Sequence, residues 1–557
     1  MRRTRRAGAH AAAFMSRRGV IAIVLAATVI LIYGSVAFVS TGGGRSAPAG
    51  ARAGAGPQIY VAQTGAGSQS GAGGCANAHP LWWLKVAGNW GRGSGRVAPG
   101  TTVDLCGTLA EPVEAMGSGS PGKPVTILFT RGARIAIGGY GCPPTGCIDL
   151  GAGREYITID GGVDGVVENT DRGTAKERDG QPTKGIFGTA SRHITIENLE
   201  IANMYVATGE DDIPNTEIQG ISFTGGEPSY IAIDHDVLHD IGWAINVELN
   251  GRSGHVNIDY DTLYHDSHGI SPTGGTAGGE IGPVLIAHDH YYANGNWSSK
   301  ADVNHIDGLH CYTGNGHTAG LHWGPAPKGL YIYDNTFTVE GEAVTAPFYL
   351  EGTTGPQCGD RTSNFWIFNN VLTARGSVLT LNNGLLAPYS GEEHIFNNTL
   401  IGNSADQGVC IPLHGESDTS AEVQFTNNIA TTCRTLVDAE VSHLRRGAMN
   451  HNLYANAGAT NEALVCRNPD RHEFFLSQSA AYRRCIGGEQ SSIFATSARL
   501  EIREAVGVLG RPRAGSPALR RGANLGRLCA STPERALCRN IRGEARPTAG
   551  PWNIGAY

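Results

Sequence analysis

Seven short runs with one chemistry recur through the middle of this chain. IDHDVL carries Asp236, IDYDTL Asp261, IAHDHY Asp289, IYDNTF Asn335, IFNNVL Asn370, IFNNTL Asn398 and FTNNIA Asn428. Each has an apolar residue three positions earlier: Ile233, Ile258, Ile286, Ile332, Ile367, Ile395 and Phe425. The runs are spaced by 25 to 46 residues, a period at which internal repeats mean a solenoid. Asn and Asp tolerate left-handed backbone and bond their own turn, so on stacked coils they form a ladder. A second strand follows each ladder turn, as in AINVEL from Ala244, GISPTG from Gly269, GLHCYTG from Gly308 and PFYLEG from Pro347. GISFTGG from Gly220 precedes them in the same register. The pattern predicts an all-β, right-handed parallel β-helix whose coils bury their apolar residues against each other. No long amphipathic helix competes with it.

The ends read differently. Residues 1–40 hold Arg2, Arg3, Arg5, Arg6, Arg17 and Arg18, then the uncharged run Val20 to Val39. About 20 apolar residues span a bilayer, and arginines ahead of them place the rest outside the cytoplasm. This predicts a membrane anchor. The small-x-small triplet Ser35-Val36-Ala37 also suits signal cleavage, and both readings export the chain. Residues 41–58 are a Gly/Ala-rich linker, 59–459 the β-helix, and 460–557 an irregular, disulfide-tied C-terminal cap. All 12 cysteines follow the apolar run, which suits an oxidising compartment. Cys142 with Cys147, Cys466 with Cys485 and Cys529 with Cys538 are local pairs. Cys75 with Cys106 and Cys410 with Cys433 fit less directly, and Cys311 and Cys358 are left to each other or free. The net charge of −7 comes without a basic stripe, which argues against nucleic-acid binding. A monomer is expected.

Eleven of the 19 histidines lie between His235 and His322. Strand side chains alternate faces, so aligning Ile221, Ile245, Ile270, Leu309 and Phe348 inward turns His310, Tyr312, Tyr349, Glu351 and Asn246 outward. Counting back, His268 falls level with Asp307 and Asp266 with His305. The expected site is one outer face bearing Asp266, His268, His305, Asp307, His310, Tyr312 and Glu351. Tyr349 and Asn246 border it, and Trp297 and Trp323 flank it in longer loops as platforms for sugar rings. A His held by an Asp is a general base, and a nearby Tyr returns the proton. In β-elimination on a uronate polymer, His310 takes the C5 proton and Tyr312 protonates the leaving oxygen. A hydrolase needs two carboxylates roughly 5–10 Å apart, and Glu351 with Asp307 is the best such pair. His235 and His288 read as stacking residues beside the ladder. His288 and His290 share a face, but two ligands are too few for a metal. No cofactor is required; Ca²⁺ at Asp211 and Asp212 is the one candidate.

QGISFTGGEPSYIAIDHDVLHD, Gln219 to Asp240, resembles the Gly-Ile-Ser and Ile-Asp-His strands of the pectate-lyase-like superfamily of right-handed β-helix proteins. SPALRRGANLG and GEARPTAGPWNIGAY resemble the C-terminal end of many secreted β-helix proteins. The resemblance implies the fold, which hosts lyases, hydrolases, epimerases and adhesins. The arginine motif of pectate lyases is missing. ENTD, EDD and SHG echo polygalacturonase motifs without the RIK that completes them, so no family catalytic residue is carried over. The expected function is an extracellular carbohydrate-active protein, a polysaccharide lyase or glycoside hydrolase. The alternatives are a surface protein that binds glycans or adheres, and a structural envelope protein.

Overall fold

The computed structural model describes residues 56–557, apart from 139–140, 171–181, 205–217, 275–278, 294–305, 314–320, 341–342, 352–357, 361, 376–379, 382–385, 389–390, 403–407, 414–419, 456–462 and 504–506. The apolar run Val20–Val39, Asp211, Asp212, Trp297 and His305 therefore lie outside the described residues.

Three sheets of 14, 13 and 10 strands, with every neighbouring pair in them parallel, form the body of the molecule; the 10-stranded sheet ends at Leu386–Pro388, and a separate four-stranded sheet starts at Val409–Leu413. One coil shows the pattern. Ser229–Asp234 lies in the first sheet, Val237–His239 in the second and Trp243–Leu249 in the third, and the next coil begins at Gly254. This is a parallel β-helix. Each coil has three strands rather than the two read from the sequence. The middle strand has three residues, too few to show a period of two.

The ladder forms, and it is longer than the repeat suggested. The carboxylate or amide oxygen at each rung accepts the backbone N–H of the rung before. Asp261 serves Asp236 at 2.7 Å, Asp289 serves Asp261 at 2.9 Å, and Asn335 serves Asp289 at 2.8 Å. Asn370, Asn398, Asn428 and Asn452 continue it at 2.8 to 3.1 Å. Ser492 closes it by accepting from Asn452. The left-handed residue is one position earlier than expected: His235, Tyr260, His288, Asp334, Asn369, Asn397 and Asn427 all have φ between 55° and 62°.

The third sheet carries a local irregularity that decides which side chains face out. Trp243 pairs with His268 and Ile245 with Ile270, while the intervening rung is skipped. The same skip separates His268–Asp307 from Ile270–Leu309. Gly269 and Gly308 occupy it facing inward. A Cβ on Gly269 would lie 2.8 Å from the buried Tyr291 ring, and one on Gly308 2.5 Å from that of Phe337. Two successive residues therefore point inward, glycine in these two coils and the small, fully buried Ala244 in the coil before, and Trp243, His268 and Asp307 turn outward.

All 12 cysteines pair in six disulfides, including Cys311–Cys358, as expected of an exported protein. Parallel pairing continues to Ile493–Ala495. Beyond it the chain folds back along the outside of the helix, where Leu525, Leu537 and Trp552 pack on Tyr331, Trp366, Phe368 and Phe396. Among the described residues no helix is long and apolar enough to cross a membrane.

Candidate active site

Three adjacent strands of the third sheet, Trp243–Leu249, His268–Gly274 and Ile306–Thr313, bring Trp243, His268, Asp307 and His310 together, with Ala343–Leu350 alongside. The expected register holds: His268 is level with Asp307, Thr273 with Tyr312, and His310 with Tyr349. Leu309 and Cys311 are fully buried in the interior, so His310 faces out.

Asp307 is the hub. Its Oδ1 accepts the N–H of Ala346 at 3.2 Å. Its Oδ2 lies 3.1 Å from His310 Nδ1 and 3.4 Å from His268 Nε2. His310 Nε2 reaches Glu351 Oε2 at 3.3 Å. His268 Nδ1 is 3.0 Å from the Ser267 hydroxyl. The group grades from interior to surface: Asp307 is buried, His310 is 8 % exposed and Glu351 21 %. Tyr312 is half-buried, its ring 4.7 Å from that of His310. Burial is the largest influence on the His310 ring and works against its charge. The Asp307 and Glu351 carboxylates together outweigh it and hold the ring's pKa above its ordinary value. The two carboxylates favour the charged form of the ring.

Two residues expected at the site do other work. Asp266 is buried, not on the outer face, and its Oδ1 accepts the Ile241 N–H at 2.9 Å. Burial raises its pKa well above the usual carboxylate range. It caps a turn, as the ladder residues do. Trp323 cannot stack on a sugar ring. It is fully buried, with its indole N–H donated to the Cys358 carbonyl at 2.6 Å. Tyr349 and Asn246 border the site as expected but are mostly covered. The Tyr349 ring is 5.0 Å from His310, and Asn246 accepts from the Thr273 hydroxyl at 3.1 Å.

Trp243 was missed. Its ring stacks on His268 at 4.1 Å between centroids and approaches Tyr312 at 5.6 Å. The signal was in the sequence: DIGWAIN and DSHGIS align with Trp243 on His268. Counting strict alternation from Ile245 puts Trp243 inward, because the skipped rung is invisible to that count.

A second cluster lies on the middle sheet. His239 Nδ1 meets Asp240 at 2.8 Å and its Nε2 meets Glu200 at 3.3 Å. Burial opposes the charge on His239, and the two carboxylates override it, raising the ring to about 9. Its ring stacks on Tyr264. The cluster lies on a different sheet from His310, and its Asp240 also approaches His265 Nδ1 at 3.8 Å.

No family model matches the chain, and no curated protein matches it. Among solved structures it is similar to the pectate lyase Pel9A, at 13 % identity and a TM-score of 0.39, over 90 % of this chain and 96 % of that one. It is also similar to a GH136 lacto-N-biosidase from Eubacterium ramulus, at 12 % identity and a TM-score of 0.40, over 79 % of this chain and 67 % of that one.

Proposed function

We propose that this protein is an extracellular carbohydrate-active enzyme that works on the outer face of its third sheet, with a polysaccharide as substrate. The observation that carries the reading is the chain of contacts Asp307–His310–Glu351, which runs from the buried strand to the rim with Tyr312 beside it. Asp307 fixes the orientation of the His310 ring. His310 exchanges a proton at Nε2, the nitrogen facing Glu351. Glu351 and Tyr312 are the groups placed to touch a polymer, and one accepts the sugar proton while the other returns it to the leaving oxygen. A pair of this kind suits β-elimination. The burial of Asp307 weighs against the hydrolase version, which needs a second carboxylate reaching the glycosidic bond. The arginine-flanked apolar run at the N-terminus would tether the enzyme to the membrane.

The test is a panel of acidic and neutral polysaccharides, read for unsaturated products by ultraviolet absorbance and for new reducing ends. The expected result is unsaturation that falls about 10²–10⁴-fold in Glu351→Gln and His310→Ala. Reducing ends without unsaturation would replace the lyase with a hydrolase. Polymer binding with no turnover, unchanged in both variants, would make the protein a glycan-binding one.

A further inference from the structure

We propose that His268, Asp307 and His310 form a binding site for one divalent transition-metal ion, with zinc(II) the best match. The three donor atoms are His268 Nε2, Asp307 Oδ2 and His310 Nδ1, all within 4.8 Å of one another. Two of the edges are 3.1 and 3.4 Å. Ligands about 2.0–2.1 Å from a tetrahedral ion stand about 3.4 Å apart, so these edges already have the required length. The third edge, between the two imidazole nitrogens, is no longer than 4.8 Å. Two imidazoles and one carboxylate are the donor set of many zinc sites that keep a fourth position open.

The atoms turned away from this point strengthen the assignment. A metal-binding imidazole characteristically gives its other nitrogen to a carboxylate, hydroxyl or carbonyl, which fixes the ring. His310 gives Nε2 to Glu351, and His268 gives Nδ1 to Ser267. Asp307 gives Oδ1 to the Ala346 N–H, leaving Oδ2 for the ion. All three ligands are thus oriented by an outer partner, and all three point at one place. They also stand on adjacent parallel strands, whose pairing sets their spacing before any ion arrives. Trp243 lies flat on His268 and shields that side from water. Glu351 stands on the other side of the His310 ring, 3.3 Å from Nε2, as that ligand's outer partner.

The site does not depend on the carbohydrate reading. If both hold, the ion takes His310 as a ligand and the proton work falls to Glu351 and Tyr312. The ion would then supply the positive charge that a uronate carboxylate needs.

The test uses the full-length protein, stripped with a chelator and titrated with Zn²⁺ by calorimetry and with Co²⁺ by visible absorption. The expected result is one equivalent of Zn²⁺ with a Kd below about 1 μM, and Co²⁺ bands of four- or five-coordinate intensity. Asp307→Asn keeps the oxygen that serves Ala346, and with His310→Gln it should weaken binding at least about 100-fold. Glu351→Gln should weaken it about 10–100-fold, and His288→Gln, in another histidine column, should leave it unchanged. Less than one equivalent, or a Co²⁺ spectrum no stronger than that of the free aqueous ion, would overturn the proposal without touching the polysaccharide result. Binding that survives in Asp307→Asn and His310→Gln would overturn it too. The wild-type cobalt spectrum decides the matter even if a variant fails to fold.

Discussion

The two halves of the ladder make the same turn with different chemistry. In the later half, Asn335, Asn370, Asn398 and Asn428 each accept one backbone N–H and also donate Nδ2 to a carbonyl of the preceding coil, at 2.9, 2.9, 2.8 and 2.9 Å. In the earlier half, Asp236, Asp261 and Asp289 accept the N–H in the same way, but among the described residues the buried Oδ2 of each has no side-chain or neighbouring-coil hydrogen-bond partner. Burial raises the pKa of all three well above the usual carboxylate range. A carboxylic acid can donate as an amide does only in its neutral form, so such a rung matches asparagine only while it keeps a proton.

The left-handed position next to each rung differs in parallel. In the earlier half it holds His235, Tyr260 and His288, whose rings stack at 4.9 and 4.4 Å in a column open to solvent. In the later half it holds Asp334, which meets His288 at 3.5 Å, and then Asn369, Asn397 and Asn427, which reach outward to the returning C-terminal chain. Asn427 accepts from Ala523 N–H at 2.7 Å and donates to its carbonyl at 2.9 Å. Asn397 donates to Asn553 and Gly555, and Asn369 to Arg539. Arg546, buried and hydrogen-bonded to Asn369 Oδ1 at 2.8 Å, locks the tail down. An aromatic column suffices where the turn faces water. Where it must hold a second layer of backbone, an amide that both donates and accepts is needed.

The strongest way to break this comparison is to delete a rung in each half. Asn398→Ala orphans the Asn370 N–H and the Ile367 carbonyl. At roughly 1–3 kcal/mol for each buried group left unpaired, it should cost about 3 kcal/mol in a denaturant titration. Asp261→Ala orphans only the Asp236 N–H and should cost about 1 kcal/mol. Equal losses would mean the halves are equivalent. At the neighbouring turn position, Asn427→Ala strands Ala523 and should cost about 2 kcal/mol, with faster proteolysis of the tail.

Asp261→Asn sharpens the comparison through pH. The folded-state pKa of this acid lies above its unfolded value, so its contribution is complete below about pH 4. It is lost as pH rises toward and through the raised folded value. The wild type should therefore lose stability from mildly acidic toward alkaline pH. Asp261→Asn should gain about 1 kcal/mol at neutral pH from the added hydrogen bond, and more at higher pH. Thermal melts in which the gap between Asp261→Asn and the wild type does not widen as pH rises would remove the neutral-acid reading. The smallest effect is expected from Tyr260→Ala, an exposed member of the aromatic column, at about 0.5–1 kcal/mol. A loss as large as that of Asn427→Ala would mean that the column does more than stack.

Much of the site was legible because a parallel solenoid converts sequence offset into spatial neighbourhood. Aligning GISPTG with GLHCYTG was enough to set His268 beside Asp307 and to turn His310 out. The failures share one cause. Asp266 and Trp323 looked like surface groups because a polar or bulky residue near a loop carries no sign of its burial. Trp243 looked internal because the skipped rung, held by Ala244 in its own coil and by glycine in the next two, breaks the period of two. Burial and skipped rungs depend on how coils stack, and one coil's sequence does not record that.

The sequence by itself determined the repeat and the ladder. Each follows from local chemistry repeated at a fixed spacing. Only the tertiary structure decided that the Asp307 carboxylate faces two imidazoles at once. It also decided that a tail more than 90 residues away in sequence covers one half of the ladder and not the other. Both arise from contacts between segments that share no local pattern, where distance and shielding from water are set by the stacked coils.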